Sequence, residues 1–71
     1  MKYNVKIALI LAAQHEIERL EQYYYSAELK IKTDENLKDF WKNDAEFWKN
    51  ELVKTQEGLA WLQAQPHEGN E

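Results

Sequence analysis

The sequence contains no cysteine, one proline and two glycines among its 71 residues. Without cysteine the chain has neither disulfides nor thiolate metal ligands, which are two common means of stabilising a domain of this size. Gly58 is the only glycine or proline before Pro66, so the turn residues that β-hairpins need are almost absent. These absences predict one all-α domain of 8.5 kDa.

Positive charge is also sparse and dispersed. Nine Lys and Arg stand against thirteen Asp and Glu, which gives a net charge of -4 and no basic stripe. A general nucleic-acid binder needs concentrated positive charge, so we expect no direct nucleic-acid partner. The longest apolar run, IALILAA at 7–13, is far shorter than the roughly 20 residues that span a bilayer. We expect a cytoplasmic protein without a membrane partner, and a cleaved signal segment within 1–13 stays an alternative.

Apolar residues in the first half recur at alternating steps of three and four, the pattern of a helix in coiled-coil packing. This pattern predicts helix one at about 5–31. The polar segment KTDEN follows, where Thr33 or Asp34 can accept hydrogen bonds from the first amides of a new helix, and it predicts a turn at about 32–35. Helix two is expected at about 36–64. Pro66 then stops it, so 1–65 form a single hairpin domain and 66–71 a frayed polar tail.

Two long helices with a short link are expected to pack antiparallel, as a coiled-coil-like hairpin. If the turn centres near Asp34, the numbers of facing residues sum to about 68, which puts Ala27 beside Trp41 and Leu20 beside Trp48. The predicted seam within the hairpin comprises Ile10, Ile17, Leu20, Tyr24, Ala27, Trp41, Trp48 and Leu52.

The letters FWKN occur twice, at 40–43 and 47–50. A spacing of seven returns to nearly the same helix face, so the two Phe residues form a line beside that of the two Trp residues. The hairpin seam leaves the Phe line exposed, together with broad apolar regions at the end opposite the turn, and soluble monomers rarely expose so much apolar surface. We therefore predict a homodimeric four-helix bundle, with a higher oligomer or a foreign protein partner as alternatives, and an interface formed by Phe40, Phe47, Trp61, Val5, Leu9 and Val53.

His15 is the residue that most invites a catalytic or metal-binding interpretation. Helical zinc proteases have a second His four residues after the first, but here that position is Arg19. Di-iron bundles have a Glu three residues before the His, but here that position is Ala12. We therefore expect His15 to be a boundary residue bonded to a carboxylate of the other helix.

Asp44 and Glu51 lie one heptad apart between two apolar lines, and we expect them to be paired with cations. The candidates are Arg19 and His15 from helix one and Lys54 from helix two. No nucleophile, phosphate loop or ligand cluster accompanies the two carboxylates, so we predict no enzyme activity, no cofactor and no metal site.

The predicted function is that of a non-enzymatic interaction protein. It would self-associate and bind another protein through an acidic, aromatic-edged surface, in an accessory or regulatory role of the kind common in bacteria and phages. One alternative is an acidic inhibitor that occupies the basic groove of a nucleic-acid enzyme. Another is a metal site in the bundle, built by Glu16 or Glu18 with His15.

Overall fold

The computed structural model describes residues 1–66 as two long helices packed side by side. Helix α1 spans Tyr3–Thr33, a 3₁₀ turn spans Glu35–Leu37, and helix α2 spans Lys38–Ala64. The N-terminal residues contact the end of α2, so the helices are antiparallel. The predicted all-helical hairpin is confirmed. The predicted frayed tail, 66–71, lies outside the described residues except for Pro66.

Helix α1 continues two residues beyond the predicted range at each end, and hydrogen bonds at its C-terminal end support the last turn. The Thr33 hydroxyl donates to the carbonyl of Leu29 at 3.1 Å, and the Asp34 amide donates to that of Lys30 at 2.8 Å. Lys30 and Lys32 occupy the last turn, where positive charge is favourable for the helix dipole. The Asp34 amide thus satisfies the Lys30 carbonyl, one of those that a helix end would otherwise leave without a partner.

Asp34 organises the connection between the helices. Its Oδ1 accepts from the amide of Leu37 at 3.3 Å and its Oδ2 accepts from the indole Nε1 of Trp41 at 3.2 Å. Of the two capping residues that the sequence offered, Asp34 is therefore the one that caps the new helical turn. The same carboxylate fixes the first tryptophan of α2.

The opposite end of the hairpin is joined by two cations of the N-terminal segment. The terminal ammonium of Met1 donates to the carbonyl of Pro66 at 3.4 Å, and Lys6 Nζ donates to the carbonyl of Gln65. Both carbonyls follow the last turn of α2, where the helix dipole favours positive charge. The two ends of the described chain are thus held together at one end of the hairpin.

The core within 1–66 is thin. Four apolar residues are buried, and two of them are alanines: Leu20, Ala27, Ala45 and Leu52. The other predicted seam residues are half-buried: Ile10, Ile17, Tyr24, Trp41 and Trp48. The accessible surface is 5414 Å², against about 4,700 Å² for a compact monomer of this mass. The elongated hairpin, 56 × 14 × 10 Å, therefore keeps about 700 Å² more surface in water than a compact fold of its size.

Contacts across the hairpin show its register, which is the sum of the numbers of two facing residues. Tyr23 contacts Trp48, Lys30 lies over Trp41, and Lys6 reaches Gln65, and the residue numbers of each pair sum to 71. The Met1–Pro66 pair sums to 67. Three of these contacts exceed the predicted sum of about 68 by three, and the difference has a structural reason. The 3₁₀ turn places the middle of the connection after Asp34, between the ends of α1 and α2.

Candidate interaction surface

An open groove runs between the two helices near the middle of the hairpin. Its volume is about 650 Å³. Charged groups and aromatic rings line it together, mainly from Glu16, Arg19, Tyr23, Phe47, Trp48 and Glu51. A groove with this lining can hold apolar side chains at its centre and polar groups at its rim, which is the arrangement of protein interfaces.

Heptad spacing extends this groove into a continuous surface. Phe40 and Trp61 lie seven residues before and fourteen after Phe47, while Val5 and Leu9 lie fourteen before Arg19 and Tyr23. Residues seven apart share nearly one helix face. We call this surface the groove face, and its large apolar residues are 43–58% exposed: Val5, Leu9, Tyr23, Phe40, Phe47 and Trp61.

Val53 lies elsewhere on α2. It is 44% exposed, but it follows Phe47 by six residues, which places it about 120° round the helix. Five of the six predicted interface residues thus lie on the groove face. Val53 lies on the opposite flank of α2. The predicted interface itself stays a prediction.

Each copy of the FWKN repeat forms the same aromatic contact. The rings of Phe40 and Trp41 meet edge to face at 4.9 Å and 79°, and those of Phe47 and Trp48 meet at 4.9 Å and 76°. In each pair the Trp is half-buried and the Phe is exposed. Such contacts contribute about 0.5–1.5 kcal/mol beyond area burial. The repeat therefore holds two exposed Phe rings in fixed positions on the groove face.

Both repeat tryptophans donate their indole N–H groups to aspartates. Trp48 Nε1 donates to Asp44 Oδ2 at 3.1 Å, one helical turn away, whereas Trp41 uses Asp34 of the connection. The ring of Tyr23 packs against Trp48 with centroids 4.8 Å apart. The second tryptophan is thus fixed from three sides, by Asp44, Phe47 and Tyr23.

The acidic residues between the two apolar lines do not pair as predicted. Arg19 bonds to Glu16 of its own helix at 2.6 Å, and Lys54 lies 3.6 Å from Glu51. Asp44 accepts an indole N–H instead of pairing with a cation. Only the Lys54 partner was predicted correctly. Pairs three residues apart on one helix are already close, so they need less ordering of long side chains than pairs across the groove.

Arg19 keeps its positive charge in the groove, because Glu16 stabilises the protonated guanidinium. The hydrogen bond from its guanidinium to Glu16 raises the pKa of Arg19, and the coulombic attraction to Glu16 adds to the effect. The guanidinium carbon also lies 6.0 Å from the centre of the Tyr23 ring. Arg19 therefore presents a permanent cation among acidic neighbours.

The predicted bond between His15 and a carboxylate of the other helix is wrong. His15 is exposed, and within 1–66 no hydrogen bond or ion pair joins it to α2. It precedes the buried Leu20 by five residues, about 140° round α1, so it lies away from the seam. Over the same residues no cluster of three or more His, Cys, Asp or Glu side chains could hold a metal ion.

Sequence reasoning missed a second exposed apolar set, on the side of α1 away from α2. Its members are 37–59% exposed: Ile7, Leu11, Tyr25 and Leu29. We call them the back stripe. The signal was present as two apolar pairs four residues apart, but the stronger seam pattern on the same helix concealed it.

The chain matches no protein-family model, and no curated protein and no solved structure shows significant similarity to it. Within the described part of the chain, neither helix combines the length and apolar character needed to cross a bilayer.

Proposed function

We propose that this chain is a non-enzymatic interaction protein that self-associates, with a second copy covering the groove face to form a four-helix bundle. The observation that carries the proposal is that six large apolar residues are exposed together on that one face, while only four residues within 1–66 are buried apolar core. Small domains with thin cores are commonly stabilised by association.

The elongated shape leaves surface for a partner. The hairpin keeps about 700 Å² more surface in water than a compact monomer of its mass, and association is one way to remove such surface from water. Phe, Tyr and Trp on the groove face are residue types enriched at interface centres. The fixed Phe47 ring would lose little freedom on association, which lowers the cost of binding.

The charges favour a second copy over a strongly charged foreign surface on the groove face. The centre of the groove carries two ion pairs, Glu16 with Arg19 and Glu51 with Lys54, and the nearby Asp44 carboxylate, which accepts the Trp48 indole N–H, adds one negative charge. A two-fold axis brings the same patch of two copies together, and a patch whose charges are mostly paired can meet itself with little net repulsion. The acidic remainder of the surface, at a net charge of -4, would be available to a protein partner with basic residues.

A charge placed on the groove face tests the proposal. The substitution Phe47→Glu puts a carboxylate at the centre of the face, and Val53→Glu makes the same chemical change on the opposite flank. We expect Phe47→Glu to weaken self-association at least tenfold in sedimentation equilibrium, and Val53→Glu to leave it within about twofold. Both variants should keep their helical circular dichroism, because both positions are about half exposed.

An unchanged association constant for Phe47→Glu would contradict the groove face as the interface. Equal losses in the two variants would also contradict it, since they would indicate a general effect of added charge.

A further inference from the structure

The back stripe lies directly away from the hairpin seam. Leu11 and Leu29 are each nine residues from Leu20, which is 4% exposed at the centre of the seam. At about 100° per residue, nine residues amount to half a turn, so both side chains point away from α2. The hairpin itself cannot cover them. Leu11 is 51% and Leu29 59% exposed.

The stripe is symmetric about Glu18. Ile7 and Leu29 lie eleven residues to either side of Glu18, and Leu11 and Tyr25 lie seven to either side. Two glutamines between them show the same symmetry, since Gln14 and Gln22 lie four residues to either side of Glu18. In an isologous contact between antiparallel helices residue i meets j and j meets i, so a line of side chains that reads alike in both directions places apolar residues opposite apolar residues.

We propose that α1 of a second copy packs antiparallel on the back stripe, with the two-fold axis passing beside Glu18. Ile7 then meets Leu29 of the second copy, Leu11 meets Tyr25, and the two amides meet each other. Every large apolar residue of the stripe gains an apolar partner, and Gln14 and Gln22 gain hydrogen-bonding partners of their own kind.

The only like charges that meet in this arrangement are the two Glu18 carboxylates. His15 lies one turn before Glu18 on the same side of α1, so each imidazole comes within one helical turn of the carboxylate of the other copy. An imidazole N–H can donate to a carboxylate, which offsets the repulsion between the two acids. Replacing Glu18 by Gln removes the repulsion and should strengthen the pairing.

The contact is long but narrow. From Ile7 to Leu29 it covers 22 steps of α1, or about 33 Å at 1.5 Å per residue. Eight large side chains, four from each copy, are half exposed and available for burial. This places the contact at the low end of interface sizes, on the order of 1,000 Å², where association is weak or transient. A chain with both this stripe and the groove face can form assemblies larger than a dimer.

Single cysteines provide the test, because the chain has no cysteine of its own. Glu18→Cys places two thiols beside the axis, within reach of the 4.4–6.8 Å Cα separation of a disulfide. Under mild oxidation at about 100 μM protein, we expect this variant to form disulfide-linked dimers at least tenfold faster than Gln56→Cys, an exposed control on α2.

The symmetry predicts a second result. Leu11→Cys alone should cross-link no faster than the control, whereas a mixture of the Leu11→Cys and Tyr25→Cys chains should form the mixed dimer rapidly. Faster self-linking of Leu11→Cys than of Glu18→Cys would indicate parallel helices and overturn the proposal. A Glu18→Cys rate equal to that of the control would overturn it as well.

The background variant Phe47→Glu separates this proposal from the groove face. We expect Glu18→Cys to cross-link equally fast with and without Phe47→Glu, because the two surfaces lie on different sides of α1. Loss of the cross-link in that background would overturn an independent back-stripe contact. A retained cross-link together with an unchanged mass for Phe47→Glu would sustain the back stripe and refute the groove face.

Discussion

Removing the Asp34 carboxylate should destabilise the hairpin more than removing any exposed acid. The Asp34→Ala substitution deletes the cap on the amide of Leu37 and the acceptor for the indole of Trp41. Loss of an N-cap costs about 1 kcal/mol. Loss of a hydrogen bond to a charged group costs about 1.5–3 kcal/mol when buried. The hydrogen bond from Trp41 to Asp34, at 3.2 Å, is only part-buried. Its loss should therefore cost less, about 1 kcal/mol.

The expected total is about 2 kcal/mol, somewhat less if the two bonds depend on each other. A chain of this size has a urea m value of about 1 kcal/mol/M, so the midpoint should fall by about 2 M. Unfolding should be followed by far-UV circular dichroism at one fixed protein concentration, because association would shift the midpoint.

Two controls make the result specific to Asp34. Asp39→Ala removes an exposed acid from the first turn of α2 and should cost at most about 0.5 kcal/mol through the helix dipole. Asp34→Asn keeps one acceptor oxygen and should lose about half as much stability as Asp34→Ala. If Asp34→Ala matched Asp39→Ala in stability, Asp34 would not organise the connection between the helices.

Two further substitutions test the packing of the seam. Ala27→Trp should lower the free energy of unfolding by about 1–3 kcal/mol through overpacking, because Ala27 is 1% exposed. Ala60→Trp, at an exposed position, should have little effect in the same urea titration. Equal stabilities of the two variants would contradict the close approach of the helices at Ala27. Asp44→Ala should cost about 1 kcal/mol by removing the acceptor of the Trp48 indole, and unchanged thermal unfolding would show that this bond contributes nothing.

The helical hairpin could be predicted from sequence because spacing alone carries the signal. The steps of three and four through Ile10, Ile17 and Leu20 indicate a packed helix, and the absence of Gly and Pro before Gly58 removes other folds. The exposure of Phe40 and Phe47 also followed from heptad spacing.

The polar contacts could not be predicted in the same way. Whether Arg19 bonds to Glu16 or reaches across to Glu51 depends on ångström-level distances and side-chain ordering, which spacing does not encode. The same is true of the indole of Trp41, which has no Asp one turn before it and uses Asp34 instead. The placing of His15 failed for a different reason, because His15 lies about 140° round α1 from the seam residue Leu20 and so on the side away from α2.

We propose that the hairpin self-associates, through the groove face and through the back stripe. Sedimentation equilibrium of the unmodified chain, from about 1 to 100 μM, tests this most directly. We expect the fitted mass at the upper concentrations to reach at least twice the 8.5 kDa of one chain, and to fall towards one chain on dilution. A folded species that stays at 8.5 kDa over the whole range would contradict both the groove face and the back stripe.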